Sequence, residues 1–196
     1  MPELKNTIIY LIGIPAVGKY TTARAIARRT GAKLVDNHLI NNPIFSVSHF
    51  DGTSRFPFPA EGWKYTGRIR RVVLDFIRKL GHPDDSYIFT NVLHDHEIRS
   101  FRTIELLAKR RKALFVPVWL KCNVSALRRR KDTPQRRRML KEIDVSTIPY
   151  WTKEFRELDI EHPNRLVIDN TNLKPAQTAK LILDHIDKCG GQRDRN

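Results

Sequence analysis

The segment TIIYLIGIPAVGKYTT, residues 7–22, decides the fold because two patterns meet in it. Thr7 to Ile12 form a continuous apolar run rich in β-branched side chains, which is typical of a strand buried on both faces of a parallel sheet. Gly13, Gly18 and Lys19 then follow at the spacing of a glycine loop that joins a strand to a helix. The segment therefore predicts a strand, a tight loop and a helix in succession.

The residues after the loop indicate the helix. Ala23, Ile26 and Ala27 recur at helical spacing within residues 22–30, and Gly31 is a typical C-terminal stop. In this context the backbone N–H groups of the loop can wrap phosphate oxygens, and the helix dipole favours an anion at the same place. A strand-to-helix turn without a ligand is the alternative, but the flanking strand and helix favour phosphate binding.

Tyr20 occupies the position at which such loops usually carry a serine or threonine hydroxyl. Its phenol lies too far from the backbone to replace a short hydroxyl beside a phosphate oxygen. Thr21 is the next candidate for that hydroxyl. The residues predicted to form the phosphate-binding loop are Gly13, Ile14, Pro15, Ala16, Val17, Gly18, Lys19, Tyr20 and Thr21.

Four more apolar segments are strand candidates, and helical patterns separate them. Five strands with helical crossovers predict a doubly wound α/β sheet. A length of 196 residues suits one domain, which we expect to span residues 1–196. The four segments are Lys33–Val35, Tyr87–Leu93, Ala113–Leu120 and Arg165–Ile168.

The composition is strongly basic, with 36 Lys and Arg against 21 Asp and Glu and a formal charge of +15. This balance favours partners that carry phosphate. Cys122 and Cys189 are too few and too far apart for a disulfide framework or a zinc site, so a reducing cytoplasm fits best. The first apolar run lacks a preceding basic region, and no run approaches the roughly 20 residues that span a bilayer, so we expect a protein that is neither exported nor inserted in a membrane.

With this loop in this context, the chain resembles the small P-loop kinases, which include shikimate, gluconate and nucleoside monophosphate kinases and chloramphenicol-phosphotransferase-like proteins. The resemblance covers nearly the whole chain and implies a three-layer α/β P-loop fold, with a five-stranded parallel sheet, helices on both faces and a mobile lid. It also implies ATP, Mg²⁺ and a small hydroxylated acceptor. In nucleoside monophosphate kinases a non-hydroxyl residue and then threonine follow the loop lysine, so Lys19-Tyr20-Thr21 looks like that offset version, with Thr21 serving the phosphates and the metal.

A concentrated basic stretch lies after the fourth predicted strand. Residues 121–141 hold nine Lys or Arg and one acid, a net charge of +8, and a helix is expected to begin there with Asn123 or Ser125 as its cap. The resemblance implies a lid over ATP at about residues 128–144, with Arg130 beside the adenine and Arg136 and Lys141 reaching the phosphates. A solvated basic helix or a nucleic-acid patch is the alternative. The arginines expected to point outward are Arg128, Arg129, Arg137 and Arg138.

Polar residues follow the second predicted strand, at the edge where such sheets bind ligands. Asp36 matches, by position, the aspartate that in shikimate-kinase-like enzymes holds the acceptor hydroxyl and helps to draw off its proton; alternatively it caps the next helix. His38, Asn41 and Arg68 are predicted to line the acceptor pocket. The aromatic-rich stretch from residue 50 to residue 63 is expected to be a loop over a pocket, or else a connection whose rings plug the edge of the core.

Two further strand ends carry candidates. Asn91 and Asp95 lie near the edge where related NTPases carry a metal-orienting aspartate, although the usual four apolar residues followed by Asp are missing. His94, Asp95 and His96 could bind a metal, but a helix start with Asp95 as N-cap is the simpler interpretation. In related kinases the backbone of the connection after the fifth strand contacts adenine, so the resemblance makes Asn170 to Asn172 candidates for that contact, with an ordinary turn as the alternative.

Three functions are compatible with these features. The first is a small-molecule kinase in which Lys19, Asp36, Arg130 and Arg136 are catalytic. The second is a polynucleotide-end kinase, suggested by the basic charge, and the third is a nucleotide-binding regulatory module without turnover, suggested by Tyr20. The basic clusters outside the lid lack interleaved aromatic residues, which favours a small acceptor over nucleic acid. No sequence feature indicates an oligomeric state. Those clusters are Arg68, Arg70, Arg71, Arg78 and Lys79, and Lys109 to Lys112.

Overall fold

A computed structural model describes residues 3–193 of the protein. Its strands are β1 (Leu4–Lys5), β2 (Thr7–Ile12), β3 (Lys33–Val35), β4 (Tyr87–Asn91), β5 (Leu114–Lys121), β6 (Leu166–Asp169) and β7 (Gln192–Arg193). Its α-helices are α1 (Lys19–Thr30), α2 (Asn37–Phe45), α3 (Trp63–Leu80), α4 (Ile98–Arg111), α5 (Val124–Lys131), α6 (Pro134–Arg138) and α7 (Pro175–Lys188). Short 3₁₀ turns lie at Ala60–Gly62 and Val145–Thr147, and a π-helical turn lies at Tyr150–Glu154.

Five parallel strands form the central sheet in the order β3-β4-β2-β5-β6. The middle strand, β2, is buried on both faces, as its apolar run predicts. Ile9 and Leu11 pack into the core on one side of the sheet, whereas Ile8, Tyr10 and Ile12 pack into the core on the other. The two cores make a three-layer α/β fold, and the predicted fold class is confirmed.

The boundaries differ from the sequence predictions at particular places. Helix α1 begins at Lys19, directly after Gly18, and not at Thr22. Strand β4 ends at Asn91, because the next residues leave the sheet: the carbonyl of Leu93 accepts a hydrogen bond of 3.0 Å from the N–H of Leu158. The chain therefore bends away from the sheet at its carboxyl edge, where a cavity can form.

The predicted lid, at about residues 128–144, packs on α2 and on the segment that follows it. The N–H of Ile143 donates to the carbonyl of Gly52 over 2.8 Å, and the Asn42 side chain donates to the carbonyl of Met139 over 3.1 Å. Gly52 has a φ of +87°, and a Cβ at this position would collide with the Lys141 carbonyl, so glycine permits the close approach. The mobility of the lid stays a prediction.

None of the helices within residues 3–193 combines the length and apolarity needed to cross a lipid bilayer. Residues 1–2 and 194–196 of the predicted single domain lie outside the described residues.

Candidate active site

A cavity of about 1040 Å³ opens at the carboxyl edge of the sheet. The glycine loop, the start of α2, the segment around residues 50–63 and the predicted lid all contribute to its wall. Arg68 does not, because it lies on an exposed part of α3 with its guanidinium 5.3 Å from the ring centre of Tyr65. The predicted site residues that line the cavity are Pro15, Ala16, Gly18, Lys19, Tyr20, Thr21, Asp36, His38, Asn41, Arg130, Arg136, Lys141 and Asn170. Gly13, Ile14 and Val17 belong to the same loop behind this wall.

The glycine loop holds its lysine against its own backbone. Lys19 Nζ donates to the carbonyls of Gly13 and Ile14, the latter over 2.9 Å. Burial, reinforced by the nearby cations of Lys141 and Arg136, lowers the pKa of Lys19 to about 7. Gly13 is required because a Cβ there would lie 2.6 Å from the Leu120 carbonyl oxygen. Within residues 3–193 no carboxylate lies at ion-pair distance from Lys19, so its ammonium is suited to phosphate.

Tyr20 and Thr21 have different environments in the first turn of α1. The exposed Thr21 hydroxyl donates to the Gly18 carbonyl over 2.9 Å and lies at the cavity. The Tyr20 ring extends to the lid, where Lys141 Nζ lies 4.5 Å from its centre. Tyr20 therefore contacts a cation through its ring, at the position where other loops present a hydroxyl.

Asp36 both caps α2 and reaches the cavity. One carboxylate oxygen accepts from the Thr90 hydroxyl over 2.6 Å, while the other accepts from the N–H of His38 over 3.3 Å and from Lys141 Nζ over 3.0 Å. Burial would raise the pKa of Asp36, but the Lys141 ammonium and the Thr90 hydroxyl outweigh it and hold the pKa below its usual range. Asp36 is therefore the N-cap of α2 and also lines the cavity, and its role toward an acceptor hydroxyl stays a prediction.

Arg130 and Asn170 join the glycine loop to the end of the sheet. The Arg130 guanidinium donates to the Asn170 side-chain oxygen over 3.0 Å and to the carbonyls of Asn170, Thr171 and Val17 over 3.0, 3.1 and 3.3 Å. Arg130 therefore lies beside the loop between β6 and α7. Of the two predicted caps of the helix that carries Arg130, Asn123 is the one observed, and its side chain accepts from the N–H of Ala126.

Arg136 contacts backbone carbonyls within the predicted lid. Its Nε donates to the Lys131 carbonyl over 2.9 Å, and its guanidinium also donates to the Glu142 carbonyl. The buried Lys131 and the half-buried Glu142 themselves form an ion pair of 2.7 Å that closes this segment. Arg136 thus lines the cavity from the predicted lid, and its hydrogen bonds are to other residues of that lid. Of the four arginines expected to point outward, all are exposed to solvent, but Arg129 also lines the cavity; the four are Arg128, Arg129, Arg137 and Arg138.

No protein-family model matches the chain, and no curated protein matches its sequence. Solved structures match nearly its whole length. A thymidylate kinase from Candida albicans is 15% identical, with 99% of this chain and 97% of that chain covered and a TM-score of 0.60. A gluconokinase from Sinorhizobium meliloti is 13% identical, with 93% of each chain covered and a TM-score of 0.59. An APS kinase from Mycobacterium tuberculosis, solved with AMPPNP and APS, is 12% identical, with 93% and 98% covered and a TM-score of 0.61. The chain has the fold of the small P-loop kinases.

Within this P-loop kinase fold, the far end of the cavity has an aromatic wall. Phe45 lies at its centre, with the rings of Phe50 and Phe58 each 4.6 Å away, and Trp63 packs 4.8 Å from Phe58. All four line the cavity. The aromatic segment therefore packs its rings on the buried Phe45 of α2 and forms part of the wall of a pocket, as one of the two interpretations of its sequence predicted.

Polar groups complete this end of the cavity. Asn41 is nearly fully buried, and its Oδ1 has no hydrogen-bond partner among the described residues. Arg70, which the sequence interpretation did not place in the site, lines the cavity and donates to the Asn37 side chain. Arg68 and Arg70 are two positions apart on α3, so their side chains project in different directions. Which of the two faces the cavity depends on how α3 packs against the rest of the fold.

His38 is neutral at pH 7. Burial, reinforced by the Lys141 cation, lowers the pKa of His38 to about 4. Its Nδ1 lies 3.2 Å from Asn42 Oδ1, and the Asn42 amide is oriented because its nitrogen donates to Met139. Nδ1 must therefore carry the proton, which leaves Nε2 of His38 as a hydrogen-bond acceptor.

The prediction that Asp95 caps a helix is wrong. Helix α4 begins at Ile98 with Glu97 before it, because the Asp95 N–H still bonds to the Arg156 carbonyl over 2.8 Å in the connection between elements. The Glu97 carboxylate accepts from the N–H of His94 over 2.7 Å. Asn91 has a packing role, since its amide donates to the Tyr10 hydroxyl over 3.1 Å.

Glu157 is a further residue that sequence reasoning missed. Burial raises the pKa of its carboxyl, and the ammonium of Lys19 partly opposes that rise. One of its oxygens has no hydrogen-bond partner among the described residues. No motif surrounds it, and it approaches Lys19 only because its segment pairs with the residues after β4.

Proposed function

We propose that the protein is an ATP-dependent phosphotransferase that moves the γ-phosphoryl group to a hydroxyl of a small molecule. The observation that carries the proposal is one cavity lined by the loop lysine, Lys19, and by the carboxylate of Asp36, which pairs with Lys141 over 3.0 Å. A cation for the donor phosphates and a carboxylate for the acceptor hydroxyl are the two groups that such a transfer needs.

The nucleotide half is built from the glycine loop. Backbone N–H groups of residues 13–21 and the start of α1 receive the phosphates, and Lys19 exchanges its contacts with Gly13 and Ile14 for phosphate oxygens. Arg130 and Asn170 lie beside the adenine, next to Pro175 at the start of α7. Arg136 and Lys141 approach from the lid, where their charge stabilises the transferring phosphoryl group.

The acceptor half lies between Asp36 and the aromatic wall. His38 Nε2 and Asn41 Oδ1 accept hydrogen bonds from the acceptor, and Arg70 takes the place that the sequence assigned to Arg68. The acceptor oxygen forms a bond to the γ-phosphorus of ATP. The bond between that phosphorus and the oxygen that bridges it to the β-phosphate breaks. The proton of the acceptor hydroxyl passes to Asp36, and ADP leaves. A carboxylate of low pKa suffices because proton removal is late in a loose phosphoryl transfer.

The chain fits a Mg²⁺ ion that is held mainly by the nucleotide and water. The Thr21 hydroxyl is exposed at the cavity, whereas the side-chain amide of Asn91, at the end of β4, already donates a hydrogen bond to the Tyr10 hydroxyl. Mg²⁺ usually keeps several waters and takes one or two protein oxygens together with substrate phosphates. When bound with ATP, the ion would neutralise phosphate charge, and Thr21 would be its protein contact.

An ATP-consumption screen against hydroxylated metabolites and nucleosides tests the proposal. Wild-type protein should transfer phosphate to at least one compound, Lys19→Ala should abolish transfer, and Arg28→Ala, on the exposed side of α1, should not change it. Equal turnover by wild type and Lys19→Ala would contradict the proposal. ATP binding without any transfer would identify a regulatory module, and tight, salt-sensitive binding of single-stranded DNA or RNA would favour a polynucleotide acceptor.

A further inference from the structure

Lys141 Nζ has two contacts inside the cavity. Its Nζ lies 3.0 Å from a carboxylate oxygen of Asp36, and the side chains of this pair are 9% and 7% exposed. The same Nζ also lies 4.5 Å from the centre of the Tyr20 ring. Arg24 is the other cation near this ring, at 5.8 Å and in an exposed position.

The Tyr20 contact has a physical basis in the charge distribution of the ring. The face of an aromatic ring is negative, so it attracts an ammonium within about 6 Å, most strongly where water is excluded. The Asp36 carboxylate fixes only one direction of the ammonium. A serine or threonine at position 20 would be too short to reach Lys141, whereas the tyrosine ring spans the gap between α1 and the lid.

We propose that Tyr20 is a positioning residue, whose ring holds the Lys141 ammonium between the glycine loop and Asp36. The geometric part of this inference stands on the contacts alone, and its effect on catalysis rests on the proposed function. When ATP binds, the transferring phosphoryl group comes between the loop and Asp36, and the ring keeps Lys141 there while the ammonium shifts from the carboxylate to the phosphoryl oxygens. The Tyr20 ring is required for this role, and its hydroxyl is not.

The contact is tested first in the full chain without nucleotide. In lysine side-chain NMR spectra, with Lys141 assigned from its loss in Lys141→Arg, the Hε and Hζ signals should be shifted upfield by the ring in wild type and in Tyr20→Phe. In Tyr20→Leu that shift should be lost. Acylation of Lys141 by a water-soluble amine reagent, measured by peptide mass mapping, should be roughly five- to tenfold faster in Tyr20→Leu than in Tyr20→Phe.

The effect on catalysis is tested separately, with an acceptor from the screen. Tyr20→Leu should lower kcat roughly tenfold with little change in KM for ATP, and Tyr20→Phe should keep the wild-type kcat. Tyr20→Met, which retains a long flexible side chain, replaces Tyr20→Leu in every comparison if that variant does not fold.

An unshifted Lys141 signal in wild type would overturn the inference, as would equal acylation rates in the phenylalanine and leucine variants. If turnover exists and both variants have the same kcat, the catalytic part is wrong. If no transfer is found but the NMR and acylation measurements separate the two variants, the positioning role holds and only the proposed function fails.

Discussion

Asn170 Nδ2 donates a hydrogen bond of 2.8 Å to the carbonyl of Val17, which ties the connection after β6 to the glycine loop. Arg130 bonds to the same carbonyl and to the Asn170 side chain. The geometry of the nucleotide end therefore depends on a junction between three distant parts of the chain. The position of Arg130 at this junction, and that of Arg136 within the lid, lead to different expectations for the two arginines.

Arg130→Ala should raise KM for ATP about tenfold with a smaller change in kcat. The reason is that Arg130 is proposed to contact the bound nucleotide equally in the ground state and in the transition state. Arg136→Ala should instead lower kcat about tenfold, because its charge acts on the transferring phosphoryl group. Steady-state kinetics on both variants measure the difference, with the exposed Arg128→Ala as control. Identical kinetic profiles for the two variants would contradict these separate roles.

ATP affinity should fall as pH rises from about 7 to about 9. The pKa of Lys19 is about 7 in the free protein. Phosphate favours the charged ammonium, so above pH 7 binding must take up a proton, and affinity can fall by up to about tenfold per pH unit. Calorimetry in buffers of different ionisation enthalpy measures this uptake. Lys19→Arg, which stays charged, is the matched control and should show a flatter dependence; equal pH slopes would assign the effect to another group.

Thr21→Val should lower kcat by about tenfold or more and raise the Mg²⁺ concentration needed for half-maximal rate, because it removes the exposed hydroxyl that bonds to the Gly18 carbonyl at the cavity. A Mg²⁺ titration at fixed ATP measures both effects. Thr22→Val is the matched control, since Thr22 is buried next to it. A Thr21→Val variant with an unchanged Mg²⁺ response would contradict the offset interpretation of the loop.

Hydrogen exchange in residues 128–144 should be fast without nucleotide and slow with ATP. The segment is tied to the region after α2 by few hydrogen bonds, including the one from Ile143 to Gly52, so it can open locally. Gly52→Ala should increase exchange there, because its Cβ collides with the Lys141 backbone, while α7 should be unaffected. Exchange that is slow and indifferent to ATP would mean that the segment is a rigid part of the fold.

The sequence predicted the sheet because its signals are local. The apolar run of β2 and the glycines after it need no distant partner to be recognised, and the five predicted strands form the central sheet. The helix start near Asp95 could not be predicted, because the backbone bond to Arg156 that keeps Asp95 out of α4 joins segments far apart in the chain.

The site was less accessible from the sequence for the same reason. The glycine loop and Asp36 could be located from strand ends, but the contact of Tyr20 with Lys141 depends on how the lid folds back across the sheet. The choice of Arg70 over Arg68 depends on the rotation of α3 about its axis. The charge pattern of a sequence shows where basic side chains occur, but the packing of the helices determines which of them face the cavity.

The pairing of β1 with β7 has a consequence for engineering. Leu4 lies opposite Arg193 and Lys5 opposite Gln192 in an antiparallel ladder, so the two ends of the described chain are one strand spacing apart. A short linker can join them without crossing the cavity, and new ends can be opened between the exposed residues Arg55 and Phe56. Such a circular permutant would keep every strand of the central sheet but would cut the chain between α2 and α3. It would therefore show whether this segment needs chain continuity or only its noncovalent contacts.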